Sequence, residues 1–292
     1  MEKAEIVYFI NPNSGSNRNT PPETLIRNQM SRTEITYSIK EISHDFKAEN
    51  IQKIVKETKA KTVVAAGGDG TVNMVASAII NLPVKLGILP LGSANGLAYE
   101  LGIPLTIENA LDTILGSKTQ LLDAIRINED KFSFHLCDLG MNARVIKGFE
   151  EEGKRGFLAY FKHFRHVLKS PKSFRCTIET GGSVFTHRSL MTVIANAGGY
   201  RTGAVINPQG FINDGRFEIV ILKPHKNWFF RNAIAAFTGN FHNQPNIETY
   251  DCTSAKISVE PQQELQIDGE LQGKKKEVKA VIIKHALEVL IP

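Results

Sequence analysis

The sequence is poor in the features that mark several protein classes. It holds three cysteines, Cys137, Cys176 and Cys252, in 292 residues. They are widely spaced and form no CxxC pair, which argues against both a disulfide framework and a zinc site. Reduced thiols and a cytoplasmic setting are the expectation. No apolar run approaches the roughly 20 residues that span a bilayer; the longest, within residues 190–197 and 217–222, are strand-sized. The opening MEKAEIVYFINP has no h-region and no cleavage site, so it reads as a strand and not as a signal peptide. There is no GxGxxG after the first strand and no GxxxxGK(S/T), so dinucleotide-fingerprint and P-loop readings fail. No basic, aromatic surface motif stands out, and nucleic acid is not an expected partner. Charge of one sign is only slightly in excess, with 35 Lys+Arg against 30 Asp+Glu and a net charge of +5. That excess suits nucleotide phosphates or an anionic membrane surface without requiring either.

What is present is an ordinary globular composition, 42% hydrophobic and 22% charged, sufficient for one large domain or two ordinary ones. Up to about residue 122, apolar strand-like runs (6–10, 34–39, 62–66, 85–89) alternate with helical patterns (22–31, 48–59, 72–81, 93–101, 107–115). Such alternation predicts βαβ units around a parallel sheet. Beyond it the texture changes to strands joined by turns, at 124–127, 131–136, 174–180, 189–197, 216–222, 255–259, 264–267 and 278–283. Two helical stretches, 157–169 and 227–238, interrupt them. The second pattern is that of an antiparallel β-sandwich. The expected architecture is therefore two-domain, with a three-layer α/β domain over residues 1–122 and a β-sandwich over 123–292 whose last residues can return to the first domain.

Three polar, glycine-bearing loops follow three successive strands of the first domain. They are Asn11-Pro12-Asn13-Ser14-Gly15, Gly67-Gly68-Asp69-Gly70-Thr71 and Gly92-Ser93-Ala94-Asn95-Gly96. All lie where strands of an open α/β sheet end, the place where such sheets bind ligands. Glycines there let backbone amides approach phosphates, and a helix N-terminus adds partial positive charge. Each loop alone reads as a turn, and Asp69 alone reads as a helix cap. Convergence of the three on one crevice points to a nucleotide. Asp69 beside phosphates makes sense if Mg²⁺ bridges the two or if Asp69 orients other groups.

In order and spacing, NPNSG, GGDGTVN and GILPLGSAN resemble the catalytic-domain motifs of the diacylglycerol/sphingosine lipid kinase family. The resemblance continues through Asp138-Leu139-Gly140-Met141-Asn142-Ala143, Ala195-Asn196-Ala197-Gly198-Gly199, Asn213-Asp214-Gly215-Arg216-Phe217, Ile267-Asp268-Gly269-Glu270 and the ending HALEVLIP, so it covers essentially the whole chain. The GGDGT element is shared with NAD kinases and phosphofructokinases; the ordered set is specific.

The resemblance implies an ATP-dependent lipid kinase that transfers the γ-phosphate to a lipid hydroxyl, such as that of diacylglycerol or a sphingoid base. It assigns ATP to Asn11, Pro12, Asn13, Ser14, Gly15, Gly67, Gly68, Asp69, Gly70, Thr71, Val72, Asn73, Ser93 and Asn95, with Lys40 at a family threonine position. It assigns the general base to Glu270 with Asp268 beside it, and Asp69 to the catalytic group. A structural Mg²⁺ is implied at the Asp214 carboxylate and the carbonyls of Phe211 and Arg216. Two departures stand out. Gly96 replaces a family acid in the third loop, and Lys40 replaces the threonine. A substrate in a membrane implies a transient, peripheral membrane partner, and a homodimer is compatible with the family. Residues 154–172 carry Phe157, Tyr160, Phe161, Phe164 and Leu168 among six Lys and Arg. That is a basic amphipathic helix pattern, suited either to an anionic surface or to packing on a core. NAD kinase chemistry, or a nucleotide-binding regulator weakened by Gly96, are the alternatives.

Overall fold

The computed structural model describes residues 3–14, 20–43, 46–144, 171–198, 206–207, 210–225 and 243–292. Gly15, the helical stretches 157–169 and 227–238, and almost all of the basic segment 154–172 lie outside them. The chain divides into two compact units, residues 1–122 with 285–292, and residues 123–284.

The first unit is α/β. Strands β1 (Ile6–Ile10), β2 (Tyr37–Glu41), β3 (Thr62–Gly67) and β4 (Lys85–Pro90) form a parallel sheet in the order β4-β3-β1-β2. The end of the long strand β14 (Glu270–Leu290) adds to its edge, pairing Glu288 with Lys85 in parallel. Every residue of β1 is buried, as are Val63 to Gly67 of β3, which requires cover on both faces of the sheet. The helices α1 (Pro22–Met30), α2 (Ala48–Thr58), α3 (Asp69–Ile79), α4 (Gly96–Glu100) and α5 (Ile107–Leu115) supply it. Helix α2 packs on α3, where the Gln52 amide reaches Ala78 O. Helix α1 packs on α5, where Gln29 bonds Asp112. Their apolar faces, Ile26 and Met30, Ile51 and Val55, Val72, Val75 and Ile79, and Ala110, Leu111 and Ile114, are buried, as helical spacing dictates.

The second unit is an antiparallel β-sandwich. Strands β7 (Leu136–Gly140), β10 (Met191–Ala195), β11 (Phe217–Leu222) and β12 (Ile247–Cys252) run in the order β12-β11-β10-β7, followed by β13 (Ser254–Ile267). The first half of β13 pairs instead with β8 (Phe174–Thr180), which forms a hairpin with β9 (Ser183–Ser189). The ladder between β13 and β14 shifts register between Ser258 and Gln263, so one strand serves both layers. Strands β5 (Thr119–Ile127) and β6 (Lys131–Ser133) pair with each other, and β5 joins β14. Cys137, Leu139, Ile194, Ile219, Ile257, Leu265 and Val278 meet in the core between the layers. Among the described residues no helix is long and apolar enough to cross a membrane.

The strand expected over 131–136 is two strands, with residues 134 and 135 between them. The pieces expected at 255–259 and 264–267 are one strand, β13, and β9 and β12 are strands the sequence pattern did not single out.

Candidate active site

Parallel register places the ends of β1, β3 and β4 at one edge, with Ile10 beside Ala66 and Gly67 beside Pro90. The three glycine-bearing loops leave from this edge and are bonded together. Asn11 N donates to Ala66 O at 2.9 Å, and the Asn11 side chain reaches Thr71 Oγ1 at 3.3 Å. Asn11 Oδ1 then accepts from Asn13 N, and Asn11 O accepts from Ser14 N, which folds the first loop back on itself. Leu91 N donates to Gly67 O at 2.8 Å, tying the third loop to the second.

The second and third loops meet backbone to backbone. A Cβ on Gly92 would stand 2.5 Å from the Gly68 Cα, and one on Gly68 would stand 3.3 Å from the Gly92 Cα. Only two glycines permit this approach. Asn95 locks the third loop: its Oδ1 accepts from Gly92 N and its Nδ2 donates to Gly92 O, both at 2.9 Å, from a left-handed backbone at φ 49°. Asp69 Oδ1 accepts from Gly96 N at 2.6 Å. The residue that opens α3 thus also caps the first amide of α4, a favourable place for a carboxylate. At position 96, where an acid was expected from the family pattern, a backbone amide now meets Asp69. The result is a cradle of bare backbone at the N-terminus of α3, the arrangement that receives phosphates.

Among the other residues assigned to the nucleotide, Asn73 lies on the second turn of α3 and Ser93 is exposed in the third loop. Gly70 and Thr71 belong to the first turn of α3, and Pro12 is exposed on the first loop. Lys40 sits on β2 opposite Phe9, one residue short of the strand's end. Val72 serves packing: its side chain is buried and its amide donates to Gly68 O.

The acidic turn belongs to the sandwich unit. Asp268 and Gly269 have φ of 46° and 93°, and Ile267 pairs with Glu270 across them. This is a two-residue hairpin turn of the kind that Asp-Gly favours. The two acids differ sharply. Both Asp268 oxygens are engaged: Oδ1 accepts from Ser133 Oγ at 2.7 Å and from His135 N and Leu136 N at 3.1 Å, and Oδ2 accepts from Phe134 N at 2.9 Å. These bonds hold the turn against residues 133–136. Asp268 is therefore built into the fold, while Glu270, the first residue of β14, is exposed.

At the other Asp-Gly turn, Asp214 Oδ1 accepts from Arg216 N at 2.9 Å, and the buried Asp123 accepts from Gly215 N at 2.6 Å. The Arg216 guanidinium pairs with Asp251, and the end of the Lys284 side chain crosses Gly215. One carboxylate with the carbonyls of Phe211 and Arg216 is an oxygen-only donor set, which suits a hard cation completed by water. Among the described residues no group of three His, Cys, Asp or Glu side chains gathers as a metal site.

Sequence reasoning placed Asp138 in a family motif but gave it no role. Asp138, fully buried in β7, accepts from Gln266 of β13. The signal was available as an acid inside the apolar run Leu136-Cys137-Asp138-Leu139.

Comparison with known proteins agrees over both units. The diacylglycerol kinase catalytic domain family matches residues 5–127, and the YegS C-terminal NAD kinase beta sandwich-like domain matches residues 137–291. A protein of Yersinia pestis (strain Pestoides F) described as a probable lipid kinase YegS-like is 29% identical over 240 residues, 79% of each chain. The crystal structure of a diacylglycerol kinase from Bacillus anthracis str. Sterne shares the fold, with a TM-score of 0.81 over 100% of this chain and 99% of that one at 19% identity. A second structure from the same organism superposes with a TM-score of 0.79 over 100% of this chain and 98% of its own, at 18% identity. The two matched domains, in this order and over nearly the whole sequence, make this chain a member of the diacylglycerol kinase-like lipid kinase family.

Proposed function

We propose that this lipid kinase uses ATP and Mg²⁺ to phosphorylate a lipid alcohol of the diacylglycerol or sphingoid-base type. The observation that carries the reading is the Gly68–Gly92 contact at the N-terminus of α3, where two backbones meet too closely for any side chain. Asn11, Asn13 and Ser14 supply donors from the first loop. Asp69 holds the cradle closed through Gly96 and contributes negative charge for a metal-bound nucleotide. Mg²⁺ neutralises the charge on the transferring phosphoryl group when it is bound. The acceptor oxygen forms its bond to the γ-phosphorus as the bond to the bridging oxygen of ADP breaks. Its proton passes to the Glu270 carboxylate, whose side chain is exposed. Asp214 with the carbonyls of Phe211 and Arg216 would hold a second, structural Mg²⁺.

A lipid acceptor requires the protein to visit a membrane surface, and we place it in the cytoplasm with peripheral attachment. Sedimentation with phosphatidylserine-containing vesicles should show binding that falls with salt, since exposed charges are screened beyond about 8 Å at physiological ionic strength. Salt-independent binding, or none, would remove that part of the proposal.

A transfer assay with γ-labelled ATP against a panel of lipid alcohols, with NAD as a control acceptor, tests the reading. Glu270→Gln should keep ATP affinity and lower kcat by about 10²–10⁴-fold. If Asp268→Asn folds normally and is dead while Glu270→Gln is active, the proton acceptor is Asp268. Label in NAD but in no lipid would replace the lipid acceptor with the dinucleotide. A second reading, a nucleotide-binding regulator, rests on Gly96: it would show ATP binding without transfer to any acceptor.

A further inference from the structure

Asp138 occupies the middle of β7 and is fully buried. Its neighbours Cys137 and Leu139 face the sandwich core, whereas Leu136 belongs to a second apolar cluster with Met191, Val193 and Val220. Strand alternation puts Asp138 on that second face. A carboxylate in such surroundings is costly unless hydrogen bonds hold it. Asp138 Oδ1 accepts from Ala143 N at 3.1 Å, and Oδ2 accepts from Asn142 Nδ2 at 2.6 Å and from the side-chain amide of Gln266. Gln266 is the residue directly opposite Asp138 in the β7–β13 ladder.

The far end of the Gln266 amide is equally committed, for Oε1 accepts from Gly269 N at 2.7 Å. Gly269 is the second residue of the turn that delivers Glu270. An amide side chain can present either end to a neighbour. The negative charge of Asp138 admits only Nε2, which also reaches Leu136 O at 3.5 Å, so Oε1 faces the turn. We propose that Asp138, acting through Gln266, is a positioning residue that fixes the Gly269 peptide and thereby the direction of Glu270. The proposal rests on the reading of Glu270 as proton acceptor. Asp268 secures the other central residue of the turn through residues 133–136. Without the Asp138 charge, the Gln266 amide can turn its Nε2 toward Gly269 N, donor against donor, and the turn loses its hold on the Gly269 peptide.

Four variants test this, each first checked for a cooperative thermal transition. Asp138→Asn removes the charge that orients Gln266. Gln266→Met removes the link while leaving Asp138 its bonds to Asn142 and Ala143. The double variant Asp138→Asn/Gln266→Glu reverses the link: the new carboxylate accepts from both the new amide and Gly269 N, with total charge unchanged. Glu270→Gln is the control on the underlying reading. Hydrogen exchange of residues 266–271 is measured in all four, with kcat and KM for ATP on the lipid alcohol that gives the highest rate. Both single variants should speed exchange at Gly269 and lower kcat by about 10–10²-fold, the effect of misplacing a reacting group by about an ångström, with KM for ATP within about two-fold. The double variant should recover kcat to within about three-fold of wild type. Wild-type exchange and kcat in a folded single variant, or a double variant no better than Asp138→Asn, overturns the proposal. Should Asp138→Asn not fold, Gln266→Met and the double variant decide. If Glu270→Gln alone keeps wild-type kcat, the proton-acceptor reading falls instead, and exchange at Gly269 still reports whether Asp138 holds the turn.

Discussion

Replacing Gly92 with alanine puts the proposed phosphate cradle to its hardest test. The added Cβ would stand 2.5 Å from Gly68 Cα and 2.8 Å from Asn95 Oδ1. The first of these is backbone and cannot swing aside. Ordinary contact begins at 3.4 Å, so the two loops must part by about 0.9 Å, the difference between 3.4 and 2.5. Asn95 Oδ1 must retreat as well, which strains its bonds to Gly92 N and O. Overpacking of this kind costs about 1–3 kcal/mol, and each weakened hydrogen bond adds about 0.5–1.5. Because one movement relieves both, the total expected is roughly 2–4 kcal/mol. Parting the loops by nearly an ångström should also cost about 10²-fold in turnover. Urea denaturation reads the first quantity and calorimetric ATP titration reads the integrity of the cradle. Gly102→Ala is the matched control. That glycine has φ 68° with no atom within 4 Å of a Cβ, so it should lose only about 1–2 kcal/mol to backbone strain and bind ATP normally. If Gly92→Ala is no less stable than Gly102→Ala and keeps wild-type ATP affinity, the two loops do not meet as described and the argument for the cradle collapses.

Asp69 separates capping from charge: Asp69→Ala should lose about 0.5–2 kcal/mol through the Gly96 cap, Asp69→Asn less, and both should lose turnover. Comparable turnover in Asp69→Asn and wild type would refute the charge role. Tyr250 is pushed up to about 12, first by burial and then by its bond to Glu248. The neutral phenol is thus favoured in the folded state, so this contribution is intact below pH 10, the free value, and is lost as pH rises toward 12. Thermal melts of Tyr250→Phe should show a shallower alkaline fall than wild type across that range, and identical slopes would contradict it. All three cysteines are buried and their thiols are pushed up by burial, Cys176 to about 11 and Cys137 further raised by Asp138 and Asp268. An aromatic disulfide reagent at neutral pH should therefore find no fast thiol in the native protein and three after denaturation. A fast native thiol would show that one of them is accessible.

The fold was largely legible because its signals are local. The apolar runs at 6–10, 62–66 and 85–89 each end in a polar, glycine-bearing loop, and each is a buried parallel strand. Helix α3 begins at Asp69 and not at Val72, because an Asp-Gly-Thr sequence that reads as a turn becomes a first helical turn once Gly68 caps it. The misreadings arise where a distant side chain decides local structure. Residues 131–136 carry one strand pattern, yet the amides of residues 134–136 bond to the Asp268 carboxylate, contributed from more than 130 residues away, and the strand is broken there. Strand β9 has few buried residues and gives the alternation rule little to detect. Strand β13 was divided at its polar stretch around Pro261, but its two halves are paired by different partners and remain one strand.

The candidate site shows the same division more sharply, because the chain carries two Asp-Gly turns that look alike in sequence. At 268–269 the aspartate itself takes a left-handed backbone and its carboxylate gathers four donors from residues 133–136. At 214–215 the aspartate accepts from the neighbouring Arg216 N, and Asp123, distant in sequence, accepts from the glycine amide. One aspartate is thus fixed as part of the fold, while the other stays exposed. Nothing in the dipeptide distinguishes them. The difference lies in which strand end each turn meets: the Ser133 hydroxyl and the amides of residues 134–136 meet the first, and the buried Asp123 carboxylate meets the second. The same logic separates Asp268 from Glu270, two residues apart. The acid that gathers these donors is built into the turn, and the next acid along the hairpin, Glu270, opens β14 with an exposed side chain.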